Sequence, residues 1–303
     1  MKKAPDWEDK LYQCLIHIIS ETNGISLNDT LELLTHSNYA KSEPHVEKSV
    51  LEFRKLISGF QLDEVDVETL LRHPVSNSLF RFFKNFELPY FEEHIHLTGS
   101  LNAEFIYPRL KKILNSKHKS DYEKKIKEVY GKDALPIESV EDVDNLIRLK
   151  EGEQFDTYLR ILYLAKLVLT SKKDHIDAAY HMASELYHNY NVGNIRLKFT
   201  LSRSTGLKSE QLPGQSQVTE DDVVLGLYDG FKKFQKEIPC FNFVLSPSFR
   251  KEANFYDQEN FETKEEHFLY QVDQILKLLE KYPFLKPHLN EVDTVGDEKE
   301  LYR

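Results

Sequence analysis

The spacing of apolar residues predicts helices over the first part of the chain. In WEDKLYQCLIHIISE, at 7–21, apolar residues recur every three or four positions, and EPHVEKSVLEFRKLISGF repeats the pattern. The segment 75–86 predicts a third, strongly aromatic helix with Ser76 or Asn77 as its N-cap. We therefore expect residues 1–88 to form a helical extension whose apolar faces cover the rest of the fold or a neighbouring subunit.

Four short segments downstream have the pattern of strands. They lie at 88–97 (LPYFEEHIHL), 194–202 (NIRLKFTLS), 240–246 (CFNFVLS) and 289–295 (LNEVDTV), the last being the weakest. Between them the pattern predicts helices at about 102–130, 155–169, 173–190, 219–237 and 264–282. Strands that alternate with helices predict a parallel sheet with the helices outside it.

Composition and charge narrow the class of protein. A hydrophobic fraction of 40% in 303 residues is that of a chain able to bury a core, so we expect a folded, soluble protein. The net charge of -10 argues against general binding to nucleic acid or to anionic membranes. No apolar stretch approaches the ~18 residues of a membrane span. Cys14 and Cys240 are far apart, which argues against a disulfide framework and favours a cytoplasmic location.

The segment with the clearest chemistry is Glu92-Glu93-His94-Ile95-His96-Leu97. Residues two apart on a strand point to the same face, so His94 and His96 present two imidazoles at the carboxyl end of the first strand. Barrel enzymes place their active sites at that end. A bare H-x-H is often only a pair of surface or packing histidines, but two inward-facing imidazoles suit zinc and similar ions.

Four motifs in order resemble the adenosine deaminase family. FEEHIHLTGSLNAEFIY resembles its opening signature, and the segments 155–202 and 223–250 are similar to its next helices and strands. EVDTVGDE is similar to the turn after its fourth strand. The resemblance covers about 90–303, with an insertion near 110–150. It implies an α/β fold, the amino-terminal half of a TIM-like (β/α)8 metal-dependent hydrolase barrel over 89–303, preceded by the 1–88 extension.

The resemblance also implies roles for individual residues. His94 and His96 would ligate a divalent metal, usually zinc in this family. Gly296 would offer its backbone to the purine ring of the substrate. Thr98 stands where the family usually has an aspartate that contacts the sugar hydroxyl, so a weaker sugar contact or a nucleotide phosphate is expected there.

Other positions depart from the family or remain open. Arg196 and Lys198 replace a glutamate and an arginine of an E-x-R pattern, so no family role passes to them. For Asp293, Asp297 and Glu298 a solvated acidic turn is as good an interpretation as a functional one. We expect packing or surface roles for a further set of residues: His175, His181, His188, Arg203 and Arg250.

The implied reaction is the hydrolytic deamination of adenosine, deoxyadenosine or adenine nucleotides to the inosine form. The family's third histidine ligand, catalytic glutamate, further histidine and aspartate ligand follow its fourth strand. We therefore expect the catalytic groups outside this sequence, either further along a longer protein or on a second chain that completes the barrel. Two imidazoles alone also leave a catalytic zinc short of its usual three protein ligands.

Other interpretations remain open. The extension and the H-x-H segment are similar, less closely, to the adenosine-deaminase-like component of a bacterial phage-defence system, which would imply antiviral defence and a homo- or hetero-oligomer. A related amidohydrolase with another substrate would keep the metal and lose the purine contact. A non-catalytic scaffold or interaction protein would retain the half-barrel without the chemistry. Metal content and partner dependence distinguish these interpretations.

Overall fold

The computed structural model describes residues 9–13, 44–86, 88–150, 152–153, 155–201, 218–258 and 260–296. The described residues fall into two compact units. One is drawn from Met1–Pro89 with Asn189–Asn191, and the other from Tyr90–His188 with Val192–Arg303.

The described residues of the first unit include a helix at Pro44–Gln61, where the apolar spacing predicts one. The helices of this unit are α1 (Pro44–Gln61), α2 (Val67–Arg72) and α3 (Pro74–Lys84), and residues 9–13 are also helical. A small apolar core holds them together, formed by Leu11, Val46, Val50, Phe53, Val75, Leu79 and Phe82. The rest of the helix predicted at 7–21 lies outside the described residues.

The N-cap predicted for the aromatic helix is wrong. Ser76 and Asn77 lie inside α3, and the cap is His73, whose Nδ1 accepts a hydrogen bond from the backbone N–H of Val75 at 3.2 Å. Pro74 explains the earlier start, because its fixed φ suits the first helical position and its missing N–H costs nothing there.

The second unit is built on a four-stranded parallel sheet. Its strands are β1 (Tyr90–His96), β2 (Val192–Phe199), β3 (Asn242–Arg250) and β4 (Asp293–Val295). They lie in the order β1-β2-β3-β4, and each neighbouring pair is parallel. Consecutive strands that lie side by side, each joined to the next by helices, are the arrangement of a (β/α)8 barrel. The unit is half of a TIM-like barrel, as the sequence predicts.

Helices connect the strands. Between β1 and β2 lie α4 (Ala103–Leu114), α5 (Lys119–Tyr130), α6 (Val140–Ile147), α7 (Phe155–Ile161), α8 (Tyr163–Val168) and α9 (Lys172–Tyr190). They are followed by α10 (Glu220–Glu237), between β2 and β3, and α11 (Lys264–Lys281), between β3 and β4. The predicted helices at about 102–130 and 155–169 are therefore each broken in two. None of the described helices is long and apolar enough to cross a membrane.

Alternation along the strands separates the two faces of the sheet. On β2, Ile195, Leu197 and Phe199 belong to the apolar core. The residues between them, including Arg196 and Lys198, must point to the opposite face. That face is the inner face of the half-barrel, and it is polar.

Candidate metal centre

The two histidines of β1 lie together, as their spacing predicts. The Nε2 atoms of His94 and His96 are 3.0 Å apart, and their ring centroids are 5.0 Å apart. A bulge between Glu92 and Ile95 adds one residue to β1 relative to β2, after which His96 lies opposite Lys198. The imidazoles thus end the first strand side by side on the inner face.

Asp293 of β4 joins the pair. One ligand atom each from His94, His96 and Asp293 lie within 4.8 Å of one another. Donors bound at ~2.0–2.2 Å to a tetrahedral ion are ~3.3–3.6 Å apart, so small side-chain movements suffice to enclose a metal ion here. Two imidazoles and a carboxylate are a donor set that suits zinc. The described residues therefore bring together three candidate donors, one more than the histidine pair that the sequence predicted.

Burial affects the protonation of His96, which is the less exposed of the two histidines. It lowers the pKa of His96, and the nearby His94 acts in the same direction. The Asp293 carboxylate opposes this change in pKa, while Lys198 adds to it. The result favours the neutral imidazole, which is the form that binds a metal ion.

Four charged side chains cross the inner face beside the histidines and are called here the ion cluster: Arg196, Lys198, Glu291 and Asp293. Lys198 Nζ lies 3.5 Å from Glu291 Oε1 and 3.6 Å from Asp293 Oδ1. Arg196 Nε lies 2.9 Å from Glu291 Oε2, but its N–H is not aligned with that oxygen, so the contact is an ion pair without a hydrogen bond.

Small residues of β3 let these side chains meet. β3 separates β2 from β4, and Ser246 lies in register with Lys198 while Ser248 lies in register with Asp293. The short hydroxyl side chains leave room above the strand, and both make contacts across it. Ser246 Oγ accepts a hydrogen bond from Lys198 Nζ at 3.3 Å, and Ser248 Oγ donates to Asp293 Oδ2 at 3.5 Å.

The two residues expected to contact substrate lie at the same end of the sheet. Thr98 is half-buried in the turn after β1, and Gly296 directly follows β4. Gly296 has a φ of 143°, and a Cβ there would lie 2.7 Å from both carboxylate oxygens of Glu252. Only glycine fits this position without strain.

The remaining residues singled out in the sequence have ordinary packing environments where they are described. Arg250 forms an ion pair with Glu252 and stacks on Phe255. His175 is buried, His181 is half-buried, and His188 is exposed. Arg203, Asp297 and Glu298 lie outside the described residues.

Sequence reasoning missed the ion cluster, although a signal for it exists. Arg196 with Lys198, and Glu291 with Asp293, repeat the two-residue spacing of the histidine pair. Charged residues at alternate positions of a strand whose other positions are apolar mark a polar face. That three such pairs meet on one face depends on the order and register of the strands.

Several solved structures are similar to this chain, at low sequence identity. An adenine deaminase from Arthrobacter aurescens is 14% identical with a TM-score of 0.45, covering 70% of this chain and 50% of that one. A zinc-bound amidohydrolase from Burkholderia ambifaria is 16% identical with a TM-score of 0.42, covering 70% and 45%. The N6-methyl-AMP deaminase of Arabidopsis thaliana is 14% identical with a TM-score of 0.40, covering 73% and 52%. The chain thus spans about half the length of these proteins. No family model and no curated protein matches it.

Proposed function

We propose that this chain is the metal-binding half of a hydrolase of the adenosine deaminase kind. The observation that carries the proposal is the meeting of His94, His96 and Asp293 on the inner face of a parallel half-barrel. Active sites of (β/α)8 enzymes lie at the carboxyl ends of the strands, and the histidines end β1. The motifs around the histidines and Gly296 favour a purine nucleoside or nucleotide as the substrate.

The proposed reaction is hydrolytic deamination of adenosine, deoxyadenosine or an adenine nucleotide. A divalent metal, with zinc the ion that best suits these donors, would supply Lewis-acid activation of water. This chain's part is to hold the ion with His94, His96 and Asp293. Thr98 and the Gly296 backbone, at the carboxyl ends of β1 and β4, would position the sugar and the purine.

The acid and base of the reaction would come from outside the described half-barrel. β1 and β4 are the two edges of the described sheet, and an open edge of a parallel sheet readily pairs with further strands. We propose that a polypeptide supplying strands five to eight pairs with these edges. The exposed aromatic side chains of α3, Phe80 and Phe83, favour further assembly as a homo- or hetero-oligomer.

The metal site is tested by elemental analysis of the purified chain after zinc loading and desalting. We expect one zinc per wild-type chain and none in the His94→Ala, His96→Ala double variant, because two of the three donors are gone. The matched control is His45→Ala with His188→Ala, which removes two exposed histidines outside the site. Stoichiometric zinc in the His94, His96 variant contradicts the site, and a wild-type chain that binds no zinc favours the non-catalytic scaffold.

A further inference from the structure

Lys198 is a buried cation beside the proposed metal ligands. Its side chain is 8% exposed, whereas the other cation of the cluster, Arg196, is 32% exposed. Burying an ammonium group costs free energy unless anions and hydrogen-bond acceptors compensate it. Glu291, Asp293 and Ser246 supply that compensation, with distances to Nζ between 3.3 and 3.6 Å.

Both oxygens of the Asp293 carboxylate make polar contacts. Oδ1 faces Lys198 Nζ at 3.6 Å, and Oδ2 accepts a hydrogen bond from Ser248 Oγ at 3.5 Å. Asp293 is 15% exposed, so solvent screens its ion pair only weakly. A metal ion that takes Asp293 as a ligand must therefore share this carboxylate with Lys198 or displace the ammonium group.

Arg196 provides an internal comparison. It carries the same charge on the same strand face, two residues before Lys198, and its ion pairs are with Glu291 and Glu93. Lys198 reaches both Glu291 and Asp293. If any positive charge on this face weakened metal binding, replacing either cation would strengthen it. If the weakening acts through Asp293, only the replacement of Lys198 would strengthen binding.

We propose that Lys198 sets the affinity of the His94, His96 and Asp293 site for a divalent cation by competing for the Asp293 carboxylate. The inference rests on the proposed function, because it takes those three residues as the metal ligands. In the metal-free protein the ammonium group neutralises Asp293 and holds it in place. When the ion binds, Asp293 must give up or share its ion pair with Lys198 in a poorly solvated position, and the lost part of that interaction weakens binding.

The test is calorimetric titration of the whole chain with zinc alone, for the wild type and for Lys198→Met. Methionine keeps most of the length and volume of lysine and removes its charge. We expect Lys198→Met to bind zinc at least about tenfold more tightly, because the competing charge is gone. Arg196→Met is the matched control, and its affinity should change by no more than about threefold, since that charge is better solvated and screened.

A double variant identifies the route of the effect. In an Asp293→Asn background zinc should bind more weakly, and adding Lys198→Met should no longer tighten it, because the carboxylate under competition is absent. Lys198→Gln serves as a second substitution if circular dichroism shows that Lys198→Met is unfolded. Three results overturn the inference: unchanged or weaker binding by both Lys198 variants, an equal gain in Arg196→Met, or a gain that persists without Asp293.

Failure of this inference differs from failure of the proposed function. If zinc affinity is the same in wild type and in the His94→Ala, His96→Ala variant, the proposed metal site is wrong. If zinc binding requires the histidines but does not become tighter when Lys198 is replaced, only the proposed role of Lys198 is wrong.

Discussion

At the scale of single residues, Lys198 and His267 are buried titratable side chains that local contacts compensate. Lys198 is compensated by two carboxylates and a hydroxyl on the inner face. His267 lies on α11, where it is 7% exposed and its ring stacks on that of Phe261 with the ring centroids 4.7 Å apart. Its Nδ1 accepts a hydrogen bond from the backbone N–H of Asp257 at 3.3 Å.

The environment of His267 predicts that acid destabilises the fold. Burial lowers the pKa of His267, and the Asp257 carboxylate only partly opposes this. The unfolded chain has a histidine pKa of ~6.5, so below that pH it binds more protons than the folded chain. The contribution of His267 to stability is therefore complete above about pH 6.5 and is lost as pH falls from there towards the folded pKa.

Urea unfolding at about pH 7.5 and about pH 5.5 measures this effect. We expect His267→Asn to lose less stability between the two pH values than the wild type, because asparagine keeps an acceptor for the Asp257 N–H and does not titrate. His45→Asn, at an exposed position, should behave like the wild type. An identical pH dependence in the wild type and His267→Asn would contradict this account.

At the scale of helices and strands, local rules explain most boundaries. Thr219 caps α10 and Thr263 caps α11, each in a reciprocal capping box with an acidic residue at the third helical position. The start of α10 at Thr219 is confirmed. Local rules do not reveal how closely two helices approach one another. The helices α9 and α10 are in close contact at a glycine of α10.

Gly230 of α10 is a contact point between the two helices. A Cβ there would lie 2.3 Å from the carbonyl oxygen of Ile176 and 2.7 Å from the Cβ of Ala179, both on α9. Alanine favours a helix by ~1 kcal/mol relative to glycine, but overpacking against a rigid backbone costs ~1–3 kcal/mol and forces the helices apart. We expect Gly230→Ala to lower the free energy of unfolding.

The control for Gly230→Ala is Gly99→Ala in the same unit, where the atoms nearest to an added Cβ are 3.8 Å away. That variant should stay within ~0.5 kcal/mol of the wild type in urea unfolding followed by circular dichroism. A Gly230→Ala protein as stable as Gly99→Ala would show that α9 and α10 can separate without loss, and that the close approach is not needed.

At the scale of the whole molecule, the described sheet is an open half-barrel with chemistry on its inner face. Its edge strands include exposed apolar side chains, with Phe91 of β1 50% exposed and Val292, just before β4, 56% exposed. Barrels remove such edges by closing on themselves. The proposed deaminase site is therefore expected to work only when further strands cover the inner face.

Residues 1–303 alone should show no detectable purine deaminase activity, even when loaded with zinc. The donors present hold a metal, but general acid and base groups that are commonly worth ~10²–10⁴ in rate would have to come from strands five to eight. Activity should appear when the completing polypeptide is added. Chromatography follows the formation of inosine from adenosine, of deoxyinosine from deoxyadenosine or of IMP from AMP. Robust turnover by the chain alone would show that its own residues supply the proton transfers.

The sequence by itself determined the alternation of strands and helices, the parallel sheet that this alternation implies and the pairing of His94 with His96. These follow from local periodicity, because a spacing of two on a strand fixes which residues share a face. The N-cap of α3 is also local, but there Pro74 outweighed the side chains that usually cap helices.

Only the tertiary structure decided which pairs of residues meet. Asp293 is about 200 positions from the histidines, and its own neighbours in sequence suit an exposed acidic turn as well as a ligand. Strand order puts β1 and β4 at opposite edges of the sheet, and Asp293 reaches the histidines because the sheet curls and because Ser246 and Ser248 leave space above β3. The pattern within a strand fixes which residues share a face, but strand order and the neighbours across the sheet exist only in the assembled fold.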